Sequence, residues 1–193
     1  LKITNVVFMG QGEPLLNLKN VIKAIEILNT ECQIGSRRIT VSTSGIADKV
    51  VDFAKANNQS TLAWSLHAPT DEIRNKIMPI NKKYSILDMK KALNKYFEIA
   101  GRRVTIEYLL IKDLTDTIDC AKKLAELLNG IKCNINLIPY NPVIENDYKK
   151  PSNNSVMKFK FLLEHSGKKV TVRLERGADI DAACGQLRGK VER

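Results

Sequence analysis

The chain reads as an α/β protein on a mostly parallel sheet, and three observations carry that reading. Six apolar runs of strand length alternate with six amphipathic stretches of helix length. Each connection between strands contains at least one of those helical stretches, the pattern of βα units. The 193 residues, 44% hydrophobic and 27% charged, suit one compact domain with a real core.

The elements follow in order. Ile3 to Met9 is the first predicted strand. Leu18 to Asn29 follows as a helix, with Val21, Ile22, Ile25, Ile27 and Leu28 largely on one face. Arg38 to Ser42 is the second strand, and Ser44-Gly45 reads as the cap of a helix over Ile46 to Asn57. Thr61 to Leu66 is the third strand, and Pro69-Thr70-Asp71-Glu72 opens a helix ending at Ile77. Ser85 to Ala100, Thr117 to Leu128 and Asn154 to Ser166 complete the helices; Arg103 to Leu110, Asn134 to Ile138 and Lys169 to Leu174 complete the strands. The one long irregular stretch, Asn141 to Asn153, holds two prolines and an acidic patch and reads as a functional loop.

Composition removes several classes. The chain is neither disordered, collagen-like nor disulfide-dense, and no stretch approaches the roughly 20 apolar residues of a membrane span. No signal-peptide layout opens it, and the expected location is cytoplasmic, with reduced thiols. Cys32, Cys120, Cys133 and Cys184 match neither a zinc spacing nor a disulfide scaffold. Leu1 falls inside what reads as a strand, so the expectation is an excised piece of something longer. Within it, residues 1–193 form a single domain with a tail over 175–193.

The net charge of +10 is concentrated. Residues 74–103 carry nine basic groups (Arg74, Lys76, Lys82, Lys83, Lys90, Lys91, Lys95, Arg102 and Arg103) against Asp88 and Glu98. The tail from Lys168 carries seven against four. Concentrated basic stretches suit a phosphate-rich partner, with nucleic acid leading; a solvated lysine-rich helix face has the same composition. Lys82, Lys83, Lys90, Lys91, Arg173 and Arg176 are the candidate nucleic-acid contacts.

Parallel βα arrays place ligand chemistry at the C-terminal ends of their strands. The first strand ends in Met9-Gly10-Gln11-Gly12-Glu13-Pro14. Its glycines let the backbone approach a ligand, and Glu13 suits an ammonium, although tight βα turns use glycine for steric reasons too. The second ends in the hydroxyl row Ser42-Thr43-Ser44-Gly45, and the third in Ser65-Leu66-His67-Ala68-Pro69, with Ser65 and His67 on one side by the strand period. No nucleophile elbow supports a serine hydrolase, and a lone histidine there also serves as a structural hydrogen-bonding group. Asn141 after the fifth strand offers a donor and an acceptor to a ligand edge, or initiates an Asn-Pro turn. Cys184 lies between alanines and a glycine in a segment without periodicity, with Arg173 and Arg176 nearby in sequence to hold a thiolate or phosphate. The other three cysteines sit in apolar or helical surroundings and read as structural.

Together these strings resemble the radical S-adenosylmethionine (SAM) RNA methyltransferases of the RlmN/Cfr family. The likeness runs through Gly10 to Leu15, Arg38 to Gly45, Ser65 to Pro69, Met78-Pro79-Ile80-Asn81, Asn136 to Pro142 and Asp179 to Leu187, nearly the whole chain. Gly-Glu-Pro and Ser-Thr-Ser-Gly look more like the RlmN branch than the Cfr branch, which methylates adenine C8. The resemblance implies a partial (βα)6 radical SAM barrel with its first strand missing, and a dual-specificity adenine-C2 methyltransferase acting on 23S rRNA and tRNA. It implies SAM held by Gly12, Glu13, Ser42, Ser65, Leu66, His67 and Asn141, with Cys184 as the methyl-carrying cysteine. One SAM methylates that thiolate. A second, cleaved by an electron from a donor through a [4Fe-4S] cluster, yields a 5′-deoxyadenosyl radical that takes hydrogen from the S-methyl group. The carbon radical adds to adenine C2, and a second cysteine frees the product by forming a disulfide with Cys184.

The departure is equally specific. The family's Cys-x-x-x-Cys-x-x-Cys cluster loop has no counterpart here, so no residue is assigned as a metal ligand and the fragment is expected to be inactive alone. Competing readings are a non-catalytic RNA-binding module and an unrelated barrel enzyme acting on phosphorylated metabolites. An exposed edge at Ile3 to Met9 makes edge-strand dimerisation an expected artefact.

Overall fold

The computed structural model describes residues 3–57, 59–142 and 146–173. Six strands form one sheet whose spatial order is the sequence order: β1 (Val6–Phe8), β2 (Ile39–Thr43), β3 (Thr61–Ser65), β4 (Val104–Leu110), β5 (Cys133–Pro139) and β6 (Val170–Val172). All five neighbouring pairs are parallel, so the sheet is wholly and not merely mostly parallel. Between them run α1 (Leu18–Thr30), α2 (Ala47–Ala56), α3 (Asp71–Ile77), α4 (Ile86–Ala100), α5 (Ile118–Leu127) and α6 (Asn153–His165). Every predicted strand and helix is present, with ends shifted by a few residues. Three 3-10 turns, Pro14–Asn17, Ser36–Arg38 and Pro79–Lys82, were not anticipated.

A sheet wound in one direction with right-handed crossovers keeps its helices on one face, and burial along the strands agrees. Ile39, Val41, Leu62, Trp64, Val104, Ile106, Tyr108, Leu110, Ile135 and Leu137 join the helices in one hydrophobic core. The alternate positions, Thr40, Ser42, Thr61, Ser65, Thr105, Glu107, Asn134, Asn136 and Thr171, are polar and therefore face the helix-free side.

Local chemistry explains the helix starts. Thr70, Thr117 and Ser152 each accept an amide of the first turn, and Ser85 and Asp88 make a reciprocal capping box. The expected Ser44 cap is corrected: Thr43 Oγ1 accepts the amides of Gly45 and Ile46, and Ser44 turns elsewhere. Two further expectations fail. Ile27 is 48% exposed because α1 packs through Val21 and Ile25, and Cys32 is exposed beyond the end of α1. Cys120 is buried, its thiol donating to the Leu114 carbonyl, and Cys133 is half-buried. At the edge, β1 pairs only with β2 among the described residues, leaving Ile3 and Val7 exposed.

Candidate functional site

The C-terminal ends of β1, β2 and β3 are tied together by polar side chains. Glu13 follows the Gly-rich turn and caps the Pro14–Asn17 turn, its Oε1 accepting the Leu15 amide at 3.1 Å. Its Oε2 accepts both the amide and the hydroxyl of Ser44, at 2.7 and 2.6 Å. Three donors thus hold this carboxylate, which bridges the end of β1 to the end of β2. A carboxylate has about four acceptor positions, so one remains for a ligand. Gly12 before it is exposed, with φ +88 and nothing near enough to meet an added Cβ, so its backbone is open to a close approach.

Ser42 and Ser65 end β2 and β3 on the helix-free face, their hydroxyl oxygens 3.5 Å apart. After Ser65 the chain leaves the strand. Leu66 is fully buried, and His67 adopts φ +60, an uncommon conformation for a residue other than glycine. The simple strand alternation predicted for Ser65 and His67 therefore stops at Ser65. The turn is held because the Glu107 carbonyl of β4 accepts the amides of both Leu66 and His67. His67 Nδ1 is buried with no hydrogen-bond partner, and burial, aided by the nearby Arg74 cation, pushes its pKa down to about 4. The ring is neutral at pH 7. Asn141, beyond β5, likewise has a buried Oδ1 without a partner.

Arg74, read from sequence as part of a basic surface, is fully buried behind this rim. Its Nε donates to the Leu66 carbonyl at 2.9 Å, Nη1 to Asn81 Oδ1 at 2.7 Å, and Nη2 to the carbonyls of Ser44 and Ser65. The guanidinium carbon lies 5.6 Å from the Trp64 ring centroid. Asn81 then donates to Asp71 and Asn75, and Asp71 accepts the first amide of α4 from Ile86. Gly45 allows this closeness, since at φ +119 an added Cβ would lie 3.2 Å from both Arg74 Nη2 and Trp64 Nε1. Burial lowers the Arg74 pKa to about 10, which leaves it charged at neutral pH. Arg74 and Asn81 are the residues that sequence reasoning missed. The only signal was the Met78-Pro79-Ile80-Asn81 string, whose asparagine had no assigned partner.

Of the candidate RNA contacts, Lys82, Lys83 and Lys91 are exposed, and Lys83 lies over the Tyr84 ring. Lys90 is half-buried and donates to the Leu127 carbonyl. Arg173 is exposed beside β6; Arg176 and Cys184 lie outside the described residues. Among the described residues, no group of three or more His, Cys, Asp or Glu side chains could hold a metal ion, and no helix is long and apolar enough to cross a membrane. The described residues therefore do not fit an iron-sulfur cluster. What the rim offers is a set of acceptors, suited to a ligand bearing N–H and O–H donors.

Comparisons with known proteins place this arrangement. The family model described as "Radical SAM superfamily" matches residues 1–138. A Lachnospira eligens protein named "Probable dual-specificity RNA methyltransferase RlmN" is 50% identical over 191 residues, 98% of this chain and 55% of that one. The Helicobacter pylori "Dual-specificity RNA methyltransferase RlmN" is 52% identical over 189 residues, 98% of this chain and 53% of that one. The chain thus spans about half the length of the curated relatives it matches. A solved radical SAM methyltransferase from Sphaerobacter thermophilus superposes with a TM-score of 0.92 at 42% identity, covering 95% of this chain and 55% of that one.

Proposed function

The chain belongs to the radical SAM superfamily, and from that premise we propose that it is the SAM-binding part of a cytoplasmic dual-specificity methyltransferase acting on adenine C2 of 23S rRNA and tRNA. The observation that carries the reading is the meeting of Glu13, Ser42, Ser65 and His67 at the ends of three adjacent strands, with acceptors left open. SAM carries an ammonium, ribose hydroxyls and an adenine amine, so its donors match that rim. Glu13 is the acceptor for the ammonium; Gly12, Ser42, Ser65, Leu66, His67 and Asn141 hold the remainder. When bound, SAM supplies the methyl group and the radical precursor. Cys184, in the tail over 175–193, is the residue that accepts the methyl group.

Alone, the 193-residue chain is expected to bind nucleoside ligand without turnover, because the described residues hold no cluster site. Calorimetric titration with S-adenosylhomocysteine tests this. Binding should be saturable and one-to-one, and Ser65→Ala should weaken it about 5-fold, the worth of one hydrogen bond. No binding by the wild-type chain would remove the reading.

The RNA partner is expected to meet the exposed Lys82, Lys83 and Lys91. Neutralising all three should weaken binding to a helical RNA and flatten the dependence of log K on log salt by about one unit per lost phosphate contact. An unchanged slope would return them to the role of a solvated surface. Because Lys90 is engaged by Leu127, Lys90→Gln should leave the slope nearly as it was. The open β1 edge supports self-association of the isolated chain, visible as a rise in mass with concentration in light scattering.

A further inference from the structure

Glu107 takes no part in the rim described above except through its carbonyl, yet its side chain stands in the same layer. It is register-paired with Ser65 on one side and Asn136 on the other, and Asn136 with Thr171. All four alternate to the helix-free face, and Ser42 extends the row through its contact with Ser65. A polar row therefore crosses the sheet from β2 to β6.

The Thr171 hydroxyl shares its one proton between Asn136 Oδ1 at 3.1 Å and the Ile135 carbonyl at 3.3 Å, and Asn136 Nδ2 donates to Glu107 Oε2 at 2.9 Å. Glu107 Oε1 accepts nothing from the described residues. The residue is only 6% exposed, and its carboxyl lies on the helix-free face in register with Ser65. Burial pushes the Glu107 pKa up, opposed by Asn136 and by the Arg173 charge. A carboxyl oxygen beside Ser65 on this face can accept an O–H donor. Glu13, at the mouth and held by two amides and a hydroxyl, is the contrasting carboxylate.

We infer that Glu107, oriented by Asn136 and Thr171, accepts a hydrogen bond from a ribose hydroxyl of the nucleoside bound against Ser65. The inference rests on the reading of the rim as a SAM site and adds a contact residue to it. Acidic side chains take ribose hydroxyls in other nucleotide sites for the same reason: one oxygen accepts from the sugar while the other is held by the protein.

The test is a cycle between side chain and ligand hydroxyl, read as binding and not as activity. The wild-type chain, Glu107→Gln and Thr171→Val are titrated with S-adenosylhomocysteine and with its 2′-deoxy and 3′-deoxy counterparts. Glu107→Gln is expected to weaken S-adenosylhomocysteine about 10-fold or more, the worth of a charge-assisted hydrogen bond. Against the counterpart that lacks the contacted hydroxyl, the same variant should lose less than about 2-fold. Thr171→Val, at an exposed strand position where valine is well tolerated, should show a smaller loss with the same ligand dependence. It carries the test if the glutamine variant does not fold. Equal losses for all three ligands, or none for any, would overturn the inference while leaving the SAM reading in place. Failure of the wild-type chain to bind S-adenosylhomocysteine would overturn both.

Discussion

Replacing Arg74 with alanine is expected to remove about 4 kcal/mol of folding stability, within the range for removing one member of a buried charged cluster. The expectation follows from what would be left behind. The carbonyls of Ser44, Ser65 and Leu66 and the Asn81 amide oxygen all take their hydrogen bonds from one guanidinium. Without it they are dry acceptors, each carrying a penalty of about 1–3 kcal/mol before the structure relaxes or admits water. A domain of this size has on the order of 5–15 kcal/mol in total. Arg74→Lys keeps the charge but cannot present donors in three directions, and should lose about 2 kcal/mol. Urea unfolding followed by circular dichroism and by the emission of Trp64, the single tryptophan, measures both. A loss below about 1 kcal/mol for alanine would mean that the carbonyls have other partners.

Replacing Cys184 with alanine in the full-length enzyme, of which this chain is proposed to be a part, is expected to abolish methyl transfer. Loss of a group that carries the transferred unit leaves no route through it, and a fall of at least about 10³-fold is the scale seen when a covalent nucleophile is removed. Cys184→Ser should be equally inactive, because a hydroxyl is a far weaker nucleophile than a thiolate at neutral pH. S-adenosylhomocysteine and RNA should bind both variants as they bind the parent. Measurable transfer by the alanine variant, assayed on an RNA oligonucleotide, would remove Cys184 from the mechanism. Binding lost together with turnover would make its role structural.

The fold was largely legible because period and spacing are local. The apolar run over Val104–Leu110 and the capped start at Thr70 each announce an element without reference to the rest of the chain. What sequence could not show depended on partners far away. Arg74 sits among nine basic residues and looks like surface, and only its acceptors at Ser44 and Ser65 reveal a buried hub. Ser44 has the identity and position of a helix cap, but Glu13, 31 residues earlier, takes its donors. Glu107 and Asn136 fall one on each of two strands, and the register that joins them appears in neither strand alone. The rim residues Glu13, Ser42, Ser65 and Asn141 were readable as strand-end groups, whereas the neutrality of His67 depends on burial and on Arg74.

The one-directional sheet also bears on how the chain acquires its structure. Each strand pairs only with its neighbours in sequence, so no pairing waits for a distant segment to arrive, and loop closure grows only slowly with the length of each βα connection. The interfaces of the sheet are therefore all between strands adjacent in chain order. A strand added beyond β1 would extend the array by one interface without rearranging the five already formed. Hydrogen exchange should accordingly be slowest at β2 to β5, which have partners on both sides, and fastest at the edge strands β1 and β6.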